Sequence, residues 1–259
     1  MTLRSGIFPA IIVLFSFLLA ATARGSAQST DGFPLEKGTY WIYECVTTRK
    51  GVNSPPVQKS LSWRMEILET VRQRDLIVAL VKGHLDDLPG PNEPKRRDYL
   101  VVAVRNNTFY LIAPPNSRDL LSHLKQTQTD WAPLVQGQAQ LFLELPPIPG
   151  SGFPIEQGTQ ENDGPHRPGF DSWLVQDQTR LTLDGVKANV PLGGVEQYSL
   201  VYGLNKSEKK VGFVPGVGIT EYDYHGYAGV PPAHAEWGGR CKLMQYHRER
   251  QSHAEKSLP

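Results

Sequence analysis

Thr220 to Tyr227 reads TEYDYHGY. Alternation along an extended strand would put Glu221, Asp223 and His225 on one face and Tyr222 and Tyr224 on the other. Two carboxylates and an imidazole on one face are donors for a divalent cation, or groups for acid-base hydrolysis. Alternation alone does not supply the constrained geometry of a metal site, so the expected state is a solvated face opposite a tyrosine-rich buried one. His234, Glu236 and His247 follow around Trp237 and Tyr246. No HExxH, HxxEH or paired CxxC accompanies them, and Gly150-Ser151-Gly152 is no GxSxG elbow. A metal-dependent hydrolase using Glu221, Asp223 and His225 is the alternative reading, and no cofactor is expected.

Aromatic side chains are the larger resource. The chain holds 5 Trp, 10 Tyr and 9 Phe, of which Phe8, Phe15 and Phe17 belong to the apolar N-terminus. Trp41, Tyr43, Trp63, Tyr222 and Tyr224 are the candidate walls of an apolar ligand site. Ordinary β-core packing would use the same residues. The leading expectation is a non-enzymatic exported binding or interaction protein whose partner is an apolar small molecule or an envelope protein. With 27 Lys+Arg against 26 Asp+Glu, the chain lacks the basic excess that nucleic-acid binding needs. Lys95-Arg96-Arg97 and Lys209-Lys210 are each neighboured by acid, Asp98 and Glu208, as in solvated loops.

Strands must position these groups. Tyr40 to Thr48 alternates with Trp41, Tyr43 and Cys45 on one face, and Leu61 to Val71 aligns Leu61, Trp63, Met65, Ile67 and Glu69. Leu76 to Val81 is apolar throughout, as in a strand covered on both faces. Tyr99 to Val104 and Thr108 to Ala113 flank Asn106-Asn107, a tight-hairpin signal because Asn tolerates positive φ. Trp173 to Leu183, Val195 to Tyr202, Val211 to Val214 and Gly218 to Tyr224 continue the series. One helix is expected, capped by Ser117, with Leu120, Leu121 and Leu124 bracing the sheet. About ten strands and 24 Gly with 21 Pro imply a mainly β fold, an antiparallel curved sheet or a β-sandwich.

Residues 1–23 read as a signal peptide: Arg4, an apolar run from Ile7 to Ala21, then Ala21-Thr22-Ala23. Its removal takes only Arg4 among charged residues and leaves no stable transmembrane anchor, so a secreted or periplasmic location is expected. There an oxidising compartment favours pairing Cys45 with Cys241, which closes nearly the whole mature chain into one loop. FPLEKGT at Phe33 to Thr39 recurs as FPIEQGT at Phe153 to Thr159, five of seven residues being identical. This internal repeat suggests two related β-rich halves, 33–145 and 170–247, joined by a Pro/Gly-rich loop at 146–169. Residues 248–259 are a charged, disordered tail.

The start Pro34-Leu35-Glu36-Lys37-Gly38-Thr39-Tyr40-Trp41-Ile42-Tyr43 and the later Pro215-Gly216-Val217-Gly218, followed by Tyr222, resemble motifs of uncharacterised exported bacterial proteins. Those proteins carry a PLxxGxxWxY-like start and a PGVGxxxY-like ending. The resemblance covers mainly the ends of the mature chain, leaves residues 80–150 unmatched, and implies no catalytic residues.

Overall fold

The structure is a computed structural model describing residues 32–249, apart from 74, 75, 91, 106, 114, 116, 127–138, 155–171, 205, 206, 231 and 232. The expected signal peptide, most of the second FPxxxGT phrase and nearly all of the tail lie outside these residues. The described strands are β1 (Tyr40–Lys50), β2 (Val57–Gln73), β3 (Leu76–Lys82), β4 (Asp98–Val104), β5 (Thr108–Ile112), β6 (Ala139–Glu144) and β7 (Gly152–Pro154). They continue with β8 (Ser172–Thr182), β9 (Lys187–Ala188), β10 (Gly194–Leu204), β11 (Ser207–Val214), β12 (Gly218–Val230) and β13 (Ala233–His247). One α-helix, α1 (Ser117–Gln126), and a short 3-10 helix (Leu85–Asp87) complete the described elements.

All strands join one sheet, in the order β6-β5-β4-β3-β2-β1-β13-β12-β11-β10-β8-β7, with β9 pairing in parallel to β13. Every other pairing is antiparallel. The two end strands, β6 and β7, approach each other, so the curved sheet nearly closes. A curved sheet, not a sandwich, is therefore the fold. Register shifts at Ile42/Tyr43, Ile67/Glu69, Phe109/Tyr110, Ser199/Leu200 and Gly212/Phe213 increase local twist and help the sheet bend.

The alternation read on β1 holds: Trp41, Tyr43 and Cys45 are buried in the interior with Trp63, Met65 and Ile67 of β2. The expected bridge is formed. Cys45 lies opposite Cys241 in the β1–β13 pairing, with their sulfurs 2.09 Å apart. Strands β3 and β4 are covered twice, which explains their unbroken apolar sequence. Ala79, Val81, Val101 and Ala103 face the interior. Leu76, Val78, Leu80, Leu100 and Val102 lie on the other face beneath Leu120, Leu121 and Leu124 of α1.

Three local expectations change. Ser117 does not act as the expected cap: it is the first residue of α1, and its hydroxyl donates to the Asp98 carbonyl (2.6 Å), tying the helix to β4. At the β4–β5 turn Arg105 has a positive φ (50°), and Asn106 lies outside the described residues. The bulge after Ile67 breaks the alternation of β2, and Glu69 pairs with Lys125 of α1. Gly152-Phe153-Pro154, expected within the connecting loop, forms a strand on β8 because its extended backbone reaches the free edge at Trp173.

The motif-bearing ends pack on each other. Trp41 Nε1 donates to the Val217 carbonyl (2.6 Å) and the Tyr43 hydroxyl to that of Ile219 (2.9 Å). Gly218 has φ of 101°, and a Cβ there would meet Phe33 and Trp41 at 3.3 Å. Glycine permits both the turn and the close approach.

Candidate functional site

A polar group sits inside the curved sheet at the end of β3. His84 precedes the 3-10 helix, and its Nδ1 accepts the Asp86 backbone N–H at 3.3 Å. In the neutral imidazole that leaves the proton on Nε2. The residue is 4% exposed, and Nε2 has no hydrogen-bond partner among the described residues. The ring lies between Tyr99 and Phe142, with centroids 5.3 and 6.4 Å away.

Asp86 points across the interior to the C-terminal strands. Its Oδ1 accepts from Lys209 Nζ of β11 and from the Tyr222 hydroxyl of β12, both at 2.8 Å. Asp87 points the other way and has a fully buried carboxylate. It accepts from Arg97 Nε (2.6 Å), the Arg97 backbone N–H (2.7 Å) and the Tyr99 hydroxyl (2.9 Å). One short helix thus presents its two acids to opposite partners.

His84 and Asp86 border a cavity of about 30 Å³, room for a small polar group or one or two waters. Gln140 and Lys209 join its polar lining, while Phe142, Trp173, Leu200, Phe213 and Ile219 supply apolar walls. These residues come from β6 on one side of the seam and from β8, β10, β11 and β12 on the other. The arrangement orients and buries its polar groups against apolar walls.

Burial holds the His84 pKa below its usual 6.5, and the Lys209 cation adds to this against the opposing pull of Asp86 and Asp87. For Asp86, burial opposes ionisation, but Lys209, His84 and the Tyr222 hydroxyl outweigh it and hold the carboxyl well below the usual carboxylate range. The two groups lose stability in different windows. Below pH 6.5 the unfolded chain takes up a proton that folded His84 resists, so stability falls with pH. The Asp86 contribution is present above pH 3.8 and is lost only below it. Urea unfolding between pH 7 and 5 should therefore show a slope from His84, at most about 1.4 kcal/mol per pH unit for one proton. His84→Asn, which preserves a capping acceptor, should remove that part of the slope. An unchanged slope in the variant would assign it elsewhere.

The sequence candidates are distributed differently. Trp41, Tyr43 and Trp63 lie in the core, and each polar tip is satisfied by a backbone carbonyl, Trp63 by Gly83 at 2.8 Å. They do not border the seam cavity. Tyr222 does, through its bond to Asp86, while Tyr224 packs against it with ring centroids 5.8 Å apart. Asp223 and His225 line a separate open trough of about 720 Å³ with Tyr224, Lys210, Arg240 and Lys242. Glu221 is exposed on the outer face, and its Oε2 is 3.5 Å from Gln197 Nε2. Asp223 is bonded by Arg240 Nε at 3.0 and 3.2 Å. His234 pairs with Glu236 at 2.5 Å. Among the described residues no three His, Cys, Asp or Glu side chains form a group that could hold a metal ion. The sequence reading missed His84 and Asp86, and it placed Lys209 in a solvated loop, whereas Lys209 lies on β11 and turns its Nζ inward to Asp86. The available signal was His84-Leu85-Asp86-Asp87, three ionisable residues directly after an apolar strand.

Fold and site together define a nearly closed antiparallel sheet with a charge-paired cavity at its seam. No family model matches the chain, and no curated protein matches its sequence. Two solved structures are similar at low level. One is an inferred exported protein with a YmcC-like fold from Bacteroides fragilis, with TM-score 0.34, 9% identity, and coverage of 83% of this chain and 98% of that one. The other is an inferred lipoprotein from Parabacteroides distasonis, with TM-score 0.32, 9% identity, and coverage of 83% and 97%. Neither likeness carries a residue role or an activity to this chain.

Proposed function

We propose that this chain is a non-enzymatic, exported binding protein of the cell envelope that holds an apolar small molecule at the seam of its curved sheet. The observation carrying this reading is the buried, unpartnered Nε2 of His84 beside aromatic and aliphatic walls. A core built only for packing gains nothing from an orphaned donor, which costs about 1–3 kcal/mol. Export rests on the N-terminal leader and on the Cys45–Cys241 bridge, a bond that persists in oxidising compartments. No helix among the described residues is long and apolar enough to cross a membrane.

The cavity as it stands admits only a small group, so a longer ligand requires the seam to part. Strands β6 and β7 end the sheet and are each ladder-paired on one side only, to β5 and β8. Opening there separates side chains without breaking a β ladder. Titration of the delipidated full chain with the neutral fluorophore N-phenyl-1-naphthylamine tests the proposal. Saturable one-to-one binding is expected, weakened about tenfold or more by Leu200→Phe, which fills the cavity. Leu111→Phe, also on the cavity wall, serves if the first variant does not fold. Absence of saturable binding, or binding indifferent to a folded variant, would sink the proposal.

A further inference from the structure

The polar end of the seam cavity is built from charges that already cancel. Lys209, the cation at the cavity, is bonded to Asp86 at 2.8 Å. Behind it, Asp87 is paired with Arg97. His84 adds no charge of its own, because its Nδ1 is used as an acceptor by the Asp86 N–H and burial disfavours a second proton. An anionic headgroup entering here would lose its hydration and find no uncommitted cation, a large uncompensated cost. A cationic one would have to displace Lys209 from Asp86.

What the site does offer is the Nε2–H of His84, buried and without a partner among the described residues. Only a hydrogen-bond acceptor satisfies it. A carbonyl oxygen brings an acceptor and no donor of its own, so it leaves nothing unsatisfied against Phe142, Leu143 and Trp173. The cavity volume of about 30 Å³ suits such a group, with the attached chain leaving along the apolar seam.

Resting on the binding function argued above, we propose that the ligand is an uncharged acyl ester, its carbonyl accepting a hydrogen bond from His84 Nε2. His84 is then the residue that selects the ligand headgroup, and Asp86, Lys209 and Tyr222 keep that end of the cavity neutral.

Displacement of bound N-phenyl-1-naphthylamine from the full chain at pH 8 by methyl octanoate, octanoate and octane tests the inference. Methyl octanoate is expected to compete about tenfold better than octane, the worth of one buried hydrogen bond, and better than octanoate. His84→Phe should bring methyl octanoate down to the level of octane. His84→Gln, which restores an N–H donor, should recover at least part of the difference and shows that the loss is not one of folding. Equal competition by all three would overturn carbonyl recognition while leaving the binding cavity intact. Stronger competition by octanoate would overturn the neutral-headgroup inference. If the fluorophore itself fails to bind, the underlying binding function fails with it.

Discussion

Replacing both Cys45 and Cys241 by alanine is expected to lower the unfolding free energy by up to about 5 kcal/mol, the largest loss any small change in this chain should cause. The bridge closes a loop of 196 positions, and the entropy it removes from the unfolded chain grows with the logarithm of that length. Its placement adds a reason. The β1–β13 pairing joins the N-terminal run of strands to the C-terminal run, and the two cysteines face each other across it. Domains of this size are stable by only about 5–15 kcal/mol, so the variant should be marginal, and wild type under reducing conditions should behave alike. Urea unfolding of oxidised wild type and of the double variant measures the difference. A loss below about 1 kcal/mol would mean that the unfolded chain stays compact enough to need no tether.

Asp87→Ala should cost about 3 kcal/mol and loosen the binding site as well. The carboxylate accepts from three donors: the backbone N–H and Nε of Arg97, and the hydroxyl of Tyr99, which is itself 3% exposed. Removing the acceptor strands the Tyr99 hydroxyl and the Arg97 amide, each worth about 1–3 kcal/mol when buried without a partner. The Arg97 side chain is half exposed and recovers water, which keeps the total below that of a fully buried ion pair. Tyr99→Phe, losing one donor instead of the acceptor, should cost about 1 kcal/mol. The 3-10 helix that carries Asp86 and is capped by His84 is held through Asp87, so fluorophore affinity should fall in Asp87→Ala more than in Tyr99→Phe. Equal stability losses in the two variants would show that the carboxylate does not organise this corner.

Much of the frame was legible because it depends on neighbours in sequence. The period of two on Tyr40 to Thr48 sends Trp41, Tyr43 and Cys45 inward whatever β1 pairs with. The apolar run of β3 announces cover on both faces, and the leucines of α1 announce which face of the helix provides it. The readings that changed did so where pairing overrode local chemistry. A bulge in β2 redirected Glu69 to Lys125, Ser117 was drawn to a carbonyl on β4, and Gly152-Phe153-Pro154 found the open edge of β8. Aromatic content pointed to a wall at Trp41, Tyr43 and Trp63, but those side chains are spent on the core and on backbone carbonyls.

By itself, the amino-acid sequence determined the only available cysteine pair, the balanced charge and the inward face of most strands, because composition and short-range periodicity are properties of the chain alone. Only the tertiary structure decided that Asp86 meets Lys209 and Tyr222, which lie 123 and 136 positions away. It also decided that His84 faces a cavity at a seam. That meeting requires a 13-strand sheet to bend until its ends approach, and curvature accumulates from twist and bulges over every strand. Buried polar groups take their chemistry from the partners that this closure brings within reach.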